Sequence, residues 1–319
     1  MFVKNVGSNA DIYYMPDINN PVVIRRLTTH AGVDNHPDFH IMTTPPYDTM
    51  VVWSSNRTGN FEIYMNKLPN LDFPPPTQLT FNNYSDRHPH LSMDGQWIVC
   101  TGKYRFEPST VCPKSECSIP VSEPCGWYEG LHIINVTSGT IYEIDFRNMP
   151  ITGGGTWPAT FDTWIGHPSF SPAGNKIIFS AALDPGGTSW EVYTVDFVPP
   201  STISNLTQIT QGTIYPSNPN PIQMSAGAEF ASSGTEILYS STRTPLGNSQ
   251  IFRIPATSVN TPVSPLNQLT WNYGNDYVPE ELSDGRISIT SDLGPMMCPP
   301  PDTGASTDLD IMCINPDGS

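Results

Sequence analysis

The stretch HPSFSPAGNKIIFSA at residues 167–181, followed by WEVYTVDF at 190–197, decides the fold of this chain. Variants of it recur along the sequence, each with a leading turn, an apolar run and a second run of alternating residues. These variants are HPDF (36–39) with MVVWSSNRTGNFEIYMNKL (50–68), HPHLSMDGQWIVCT (88–101), AGAEFASSGTEILYSS (226–241) with SQIFRIPA (249–256), and VPEELSDGRISITSD (278–292) with DLDIMCINPDG (308–318). A repeat of about fifty residues built from short β runs is typical of a propeller, solenoid or array.

Every repeat follows the same order of segments. A His-Pro or similar step leads a short strand, and a turn of the Ser-x-x-Gly type connects it to an apolar strand such as residues 176–179. That second strand lacks alternation, as expected for a strand covered on both faces. The third strand alternates, as in residues 191–195, which is expected nearer the rim of a sheet. The fourth ends in Leu-Thr or a variant, at Leu27-Thr28, Leu79-Thr80, Ile209-Thr210 and Leu269-Thr270. Four antiparallel strands with this gradient of burial make one propeller blade.

The alternating third strands give the number of repeats. Six are found, at residues 11–15, 61–65, 131–135, 190–195, 250–254 and 310–314. We therefore predict an all-β chain with very little helix, a single propeller domain over residues 1–319 with repeats at about 1–34, 35–86, 87–166, 167–225, 226–276 and 277–319. The first repeat begins within its second strand and the last stops before its fourth. We expect these incomplete blades to be closed either by further chain or by a strand from another molecule.

A combination of local motifs identifies the type of repeat. An SPDG-like turn, an I-x-F-x-S strand, an E-I-Y strand and a closing Q-L-T strand together resemble the TolB-type, WD40-like propeller repeat. The turns SPAG, SMDG, SSG and LSDG depart from SPDG but keep the glycine that supplies a positive φ. The resemblance is strongest at 50–101 and 167–241 and weakest in the insertions at 103–128 and 147–163. It implies a propeller of six four-stranded blades.

The charge balance excludes two classes of partner. The chain has 319 residues with 14 Lys and Arg against 30 Asp and Glu, a formal net charge of −16. Such a surface repels nucleic acid, whose binding depends on neutralising phosphates, and it disfavours anionic membrane surfaces. Since no apolar run approaches the roughly eighteen residues of a membrane-spanning helix, no membrane insertion is expected.

The cysteines and glycosylation sequons indicate an exported protein, either extracellular or periplasmic. The spacing of Cys112, Cys117 and Cys125 is not that of a zinc knuckle and no histidine lies among them, so disulfides are expected there, with open connectivity. Cys298 and Cys313 form another candidate bridge, whereas Cys100 lies in a buried strand and is expected to be free. The sequons, which are candidate glycosylation sites, begin at Asn56, Asn83, Asn135 and Asn205.

The histidines form the sharpest cluster of chemistry-bearing residues. His88 and His90 lie two apart on a strand, so both imidazoles could face the same way and hold one metal ion. His36 and His167 hold the place of His88 in other repeats. TolB-like propellers that resemble this chain include polysaccharide lyases whose clustered histidines hold a divalent metal in the channel, and the resemblance implies this as an alternative. The interpretation that we favour treats His-Pro as a structural signature of the repeat, so we predict neither a metal ligand nor another cofactor.

The two insertions are the predicted contact loops, because propeller loops lie at the two faces and function is concentrated in such loops. Regularly spaced strand aromatics are interpreted as packing between blades, whereas four aromatic residues in or beside the insertions are candidates for exposed ligand contact: Trp127, Tyr128, Trp157 and Trp164. A serine hydrolase is excluded, because the chain has no G-x-S-x-G segment.

We therefore predict a non-catalytic exported scaffold that binds protein or glycan. The open terminal strands could also assemble it with itself, as a homo-oligomer or filament. The alternative is a metal-assisted polysaccharide lyase or hydrolase that uses the channel face of the propeller.

Overall fold

The computed structural model divides the chain into two compact units, Met1–Asp145 and Phe146–Ser319, which we call unit 1 and unit 2. Each is described by itself, and a single domain over residues 1–319 stays a prediction. The residues that the structure describes are 2–6, 9–14, 25–26, 34–35, 50–67, 76–81, 85–105, 127–158, 164–183, 187–212, 223–282, 285–291, 310–316 and 318.

The described residues of unit 1 form three antiparallel sheets, each of which pairs strands in sequence order. Their strands are β1 (Phe2–Val6), β2 (Asn9–Tyr14), β3 (Arg25–Arg26), β4 (Asp34–Asn35), β5 (Met50–Ser55), β6 (Glu62–Lys67), β7 (Thr77–Gln78), β8 (Arg87–Leu91), β9 (Trp97–Arg105), β10 (Trp127–Asn135) and β11 (Ile141–Ile144). The first sheet has the order β1-β2-β3, the second β4-β5-β6-β7 and the third β8-β9-β10-β11. The described ends of the insertion predicted at 103–128 belong to β9 and β10, where Trp127 pairs with Arg105.

Unit 2 continues the same arrangement. Its strands are β12 (Trp164–Phe170), β13 (Lys176–Ala182), β14 (Ser189–Val198), β15 (Thr202–Gln208), β16 (Thr210–Gln211), β17 (Gln223–Phe230), β18 (Glu236–Ser241), β19 (Gln250–Pro255), β20 (Thr261–Pro262), β21 (Asp276–Glu281), β22 (Ile287–Ser291) and β23 (Asp310–Ile314). Antiparallel pairing gives β12-β13-β14-β15, β17-β18-β19 and β21-β22-β23. A bridge from Phe252 to Gln268 takes the place of a fourth strand beside β19. The starts of β14 and β17 meet in parallel over two residue pairs.

The prediction of an all-β chain is confirmed. Within the described residues, the helical structure is one short 3-10 helix at Pro265–Asn267. In the described part of the chain, three sheets have the predicted four strands, and the number of blades in a closed ring stays a prediction. The second strand of the repeat is covered on both faces, as expected, since β13 is buried from Ile177 to Ala182. The third strand is covered as well, because β14 is buried from Glu191 to Val195. Polar and apolar side chains therefore alternate along the third strand although both kinds are buried. The alternation does not mark one exposed and one buried face, as was expected from the sequence.

A hydrogen-bonded clamp explains why the E-I-Y and Q-L-T motifs occur together. The Thr210 hydroxyl accepts the Val192 N–H at 2.9 Å and donates to the Glu191 carboxylate at 2.6 Å. The Gln208 side-chain amide donates to the Thr210 carbonyl at 2.9 Å. The same threonine contacts recur at Thr80, with Ile63 and Glu62. The clamp fixes the end of the fourth strand against the start of the third.

The His-Pro step marks a β-bulge in the first strand of the repeat. His88 and His167 have φ values of 54° and 51°, and the equivalent residues Gly227 and Val278 have 58° and 48°. The register of each strand shifts at this place, for example between Gly166 and Ser169 in β12. A non-glycine residue with positive φ is uncommon, so its recurrence at one repeat position indicates a required bend.

Candidate functional site

The bulge changes the geometry expected for the predicted histidines. His90 is buried, and the half-buried His88 lies with Nδ1 3.4 Å from the Thr101 hydroxyl. Because the register shifts between Arg87 and His90, the simple alternation that would place both imidazoles on one face does not apply. His167 is half-buried at the corresponding bulge, and His36 lies outside the described residues. Metal binding by these histidines stays untested.

Trp157, a predicted contact residue, belongs to the core. Its side chain is 2% exposed. The indole ring packs against Phe146, Phe179 and Tyr193, with centroid distances of 5.1, 6.0 and 5.5 Å. The glycine-rich segment before it folds into a tight hairpin, in which Pro150 bridges to Thr156, and this hairpin directs the indole inward. The prediction of an exposed contact is therefore wrong for this residue.

The other predicted contact residues have different positions. Trp164 begins β12, and its side chain is 49% exposed. The indole ring packs against Gly187, since a Cβ added to that glycine would lie 3.2 Å from the ring. Trp127 and Tyr128 are strand residues of β10, and their side chains lie outside the described part of the structure.

The described cysteines are Cys100, which is buried with a free thiol as expected, and Cys313, which is exposed with a free thiol. Because the Cys313 thiol is free, the predicted bridge from Cys298 to Cys313 is not formed in this structure. Cys112, Cys117 and Cys125 lie outside the described residues, as does Cys298, so disulfides among the first three stay a prediction.

The sequon asparagines also differ in their surroundings. Asn205 is exposed, and its side-chain amide donates to Asp196 at 2.7 Å. The Asn135 side-chain carbonyl accepts the backbone N–H groups of Thr137 and Ser138, which closes a turn. Asn56 is half-buried and Asn83 lies outside the described residues. Glycosylation at all four stays a prediction.

Exposed aromatic side chains that the sequence analysis missed lie on a connection of unit 2. Trp271 is 67% exposed and Tyr273 is 85% exposed, on the segment that follows Thr270 and leads into β21. Leu246, also exposed, lies on the connection from β18 to β19. Both connections are at the same end of the sheet, because the Asp276 N–H donates to the Ser249 carbonyl at 2.8 Å.

Side-chain amides hold these two connections together. The Asn248 amide donates to the carbonyls of Asn272 and Gly274, both at 2.7 Å. Gln250 donates to the Gly274 carbonyl at 2.9 Å and accepts the Asn272 N–H at 3.0 Å. The backbone under Trp271 is therefore fixed by several hydrogen bonds.

Trp164 lies at this same end of unit 2. The starts of β14 and β17 are adjacent and parallel, and Trp164 pairs with Ala182, which pairs in turn with Trp190 near the start of β14. We call this surface the aromatic end; its exposed members are Trp164, Leu246, Trp271 and Tyr273. A sequence signal for it exists, since an aromatic residue follows the closing Leu-Thr both at Trp271 and at the exposed Phe81.

A buried ion pair lies beneath the aromatic end. Arg243 donates to both carboxylate oxygens of Glu191, at 2.6 and 2.9 Å, and to the Ser225 hydroxyl at 2.8 Å. Burial raises the pKa of the Glu191 carboxyl, and the Arg243 charge and the hydrogen bonds from Thr210, Arg243 and Gly212 oppose that shift. The pair joins β14 to the connection after β18, which is a structural role.

A second buried cluster lies in unit 1, and its members could hold a metal ion. Asp86, Cys100 and His132 are all buried, and one ligand atom from each lies within 4.8 Å of the others. The His132 Nδ1 atom is 2.8 Å from Asp86 Oδ1. Burial raises the pKa of the Cys100 thiol well above its ordinary value, and the charges of Asp86 and Glu62 raise it further. A neutral thiol of this kind is a poor nucleophile.

Among the described residues, no helix is long and apolar enough to cross a membrane. No protein-family model and no curated protein matches the chain. Solved structures do match it. TolB from Acinetobacter baumannii is 14% identical with a TM-score of 0.56, and the match covers 97% of this chain but 58% of TolB. A TolB described as putative from Agrobacterium tumefaciens is 16% identical with a TM-score of 0.56, covering 93% of this chain and 82% of the other.

A third match is an oligogalacturonate lyase in complex with manganese, 14% identical with a TM-score of 0.52, covering 88% of this chain and 64% of the lyase. Because structural likeness at such low identity shows the fold alone, no activity follows from these matches. They place this chain among proteins with the TolB-like β-propeller fold.

Proposed function

We propose that the chain is a non-catalytic, exported β-propeller scaffold that binds a glycan at the aromatic end. The observation that carries this proposal is the exposure of Trp271 and Tyr273 on a connection fixed by the amides of Asn248 and Gln250. Aromatic rings on a rigid backbone offer large, amphipathic contact area at a low cost in conformational entropy.

The charge of the chain selects among glycans. A net charge of −16 repels acidic polysaccharides, so a neutral glycan is the ligand that we favour. Flat aromatic faces stack against the apolar face of a neutral sugar ring. A protein partner would use the same rings as anchors, and it is the competing outcome of the experiment below.

The experiment compares binding of the full chain and of a W271A/Y273A variant to a glycan array and to neutral polysaccharides in affinity electrophoresis. We expect the double substitution to weaken binding roughly fivefold or more, because each aromatic contact contributes on the order of 0.5–1.5 kcal/mol. The control is L266A, since Leu266 is 95% exposed in the 3-10 helix at the opposite end of β19 and should leave binding unchanged.

Three outcomes would overturn this assignment. The wild-type chain could bind no glycan and instead retain a protein in a manner that depends on Trp271. The double variant could bind as the wild type does. Metal-dependent degradation of a polysaccharide, lost when His88 and His90 are replaced by Asn and Gln, would establish the lyase alternative.

We further propose that strand edges mediate self-association. The sheet β21-β22-β23 has three strands in the described part of the chain, and β23 pairs with β22 along one edge. An unpaired edge is a template for strand addition from a second copy. Light scattering on the full chain and on a version that starts after Thr29 tests this. A strictly monomeric full chain at high concentration contradicts it.

A further inference from the structure

The sheet β8-β11 departs from the repeat at one register pair. Where the second and third strands face each other, β1 and β2 pair Val3 with Ile12, and four other sheets of the described residues place a small hydroxyl residue opposite an aliphatic one. These pairs are Ser54 with Ile63, Ser180 with Val192, Ser240 with Ile251 and Thr290 with Ile311. In the β9–β10 hairpin, the pair is Cys100 with His132. A thiol and an imidazole thus replace a neutral packing pair in one sheet.

The third member of this cluster comes from the repeat itself. Asp86 precedes β8, and Asp276 holds the same repeat place at the start of β21; both are fully buried. Both donate a backbone N–H to the residue before the third strand of the preceding repeat, which is Phe61 for Asp86. In β8-β11 the carboxylate meets His132, so three metal-ligating residue types converge from three successive segments of one sheet.

The backbone of β9 leaves room for the His132 ring. An ideal Cβ added at Gly102 would lie 2.3 Å from His132 Cε1 and 2.4 Å from its Nδ1. Contacts that short do not occur, so a side chain at this position would force the imidazole away from Asp86. The glycine and the histidine are therefore matched to each other.

We propose that Asp86, Cys100 and His132 supply three ligands of a zinc site. Zinc takes carboxylate oxygen, thiolate sulfur and imidazole nitrogen as ligands, and a thiolate favours zinc over magnesium or calcium. Zinc binding requires the Cys100 thiol to lose its proton to solvent, and the charge of the ion stabilises the resulting thiolate. The bound ion joins the connection before β8 to β9 and β10. The cluster does not include His88 or His90, and the proposal does not depend on the proposed glycan binding.

The test uses the untagged full chain, stripped with EDTA, reconstituted with zinc chloride and passed through gel filtration before elemental analysis. A parallel titration with Co²⁺ follows the thiolate-to-cobalt charge-transfer absorption in the near ultraviolet. We expect one zinc per chain, a sulfur-to-cobalt band and a higher unfolding temperature with zinc than with EDTA.

The variants are chosen to preserve the fold. C100S installs the serine that other sheets carry at this place, and H132N keeps an N–H donor toward Asp86. We expect both to lose stoichiometric zinc, and C100S to lose the cobalt band. C313S removes the exposed thiol and H88N removes a bulge histidine, so both should bind as the wild type does. No stoichiometric zinc in the wild type, or zinc retained in C100S, overturns the proposal.

Discussion

Two connections at the same end of unit 2 are held by residues at the same repeat position, one a carboxylate and the other a carboxamide. At the start of β14, Glu191 accepts hydrogen bonds from the Thr210 hydroxyl, the Gly212 N–H and Arg243. The buried Glu191 carboxylate is thus paired with one guanidinium, that of Arg243, which lies on the connection after β18.

At the start of β19, Gln250 replaces the glutamate. Thr270 still accepts the Ile251 N–H at 3.0 Å, so the backbone clamp is the same. The Gln250 amide, however, donates to Asn272 Oδ1 and to the Gly274 carbonyl, and accepts the Asn272 N–H. The Gln250 contacts to this connection therefore involve no charged side chain, although the Asn272 amide also donates to the Asp276 carboxylate at 2.7 Å.

The difference shows that the threonine contacts are common to the repeats. The residue at the glutamate position then determines which neighbouring segment is bound, Arg243 in one case and the loop with Asn272 in the other. The carboxylate form ties one sheet to the next through Arg243, at the cost of burying two charges. The carboxamide form fixes the loop that carries Trp271, and Gln250 itself carries no charge. Substitutions at the two places should therefore differ in size.

The largest expected effect is that of R243A. Arg243 is 1% exposed, and its removal leaves the Glu191 carboxylate buried without its cation. We expect the free energy of unfolding to fall by about 3–5 kcal/mol, measured by urea unfolding with tryptophan fluorescence. The matched control is R57A, because half-buried Arg57 follows the same strand position and lies 4.3 Å over the Tyr64 ring. Its loss should cost about 1 kcal/mol. Equal effects of the two substitutions would contradict the comparison.

The next effect is the coupling between Glu191 and Arg243. E191Q makes the first connection resemble the second, but it leaves Arg243 buried without a carboxylate. We expect E191Q and R243M each to destabilise, and the double variant to recover about 1.5–3 kcal/mol relative to the sum of the two. The measurement is a double-mutant cycle in urea. Additive effects would show that the pair contributes no coupling.

The fold could be predicted from the sequence because the same order of strand patterns recurs in each repeat. All six alternating segments are strands: β2, β6, β10, β14, β19 and β23. The exposure of individual side chains could not be predicted in the same way. Trp157 follows glycines that suggest an open loop, yet a tight hairpin buries its ring, whereas Trp271 follows a strand motif and is exposed. Periodicity describes strands, but the direction of a loop aromatic depends on local hydrogen bonds that composition does not encode.

The buried clusters show the same limit. Asp86, Cys100 and His132 are spread over 47 residues with no recognisable ligand spacing, so their proximity could not be predicted from the sequence. Only the strand register brings them together. The signal was present as a departure from the repeat, since His132 stands where Ile63 and Val192 stand in other sheets. A comparison of register positions between repeats would have found it.

Replacing the clamp threonines should have a smaller effect than R243A. T210V removes a hydroxyl that accepts the Val192 N–H and also donates to Glu191, so we expect a loss of about 2–3 kcal/mol. T270V leaves the Ile251 N–H without its acceptor but removes no hydrogen bond to a glutamate, because Gln250 stands at that position. We expect the free energy of unfolding to fall by about 1–2 kcal/mol. Thermal unfolding followed by circular dichroism ranks the two. A larger effect of T270V than of T210V would show that the hydrogen bond from the Thr210 hydroxyl to the Glu191 carboxylate adds nothing to stability.

The smallest predicted effect separates backbone strain from side-chain chemistry at the bulge, where β12 carries His167 and β17 carries Gly227. Gly227 has a φ of 58°, and an added Cβ would meet neighbouring atoms no closer than 3.4 Å, so G227A tests strain without a clash. We expect a loss of about 1 kcal/mol, because an L-residue in the left-handed region costs about 1–2 kcal/mol. H167A keeps a Cβ at a φ of 51°, so the strain is already present and the change in unfolding temperature should be smaller than for G227A. If H167A instead destabilised the protein more than G227A and released a bound metal, His167 would be a metal ligand and not only a residue of the bulge.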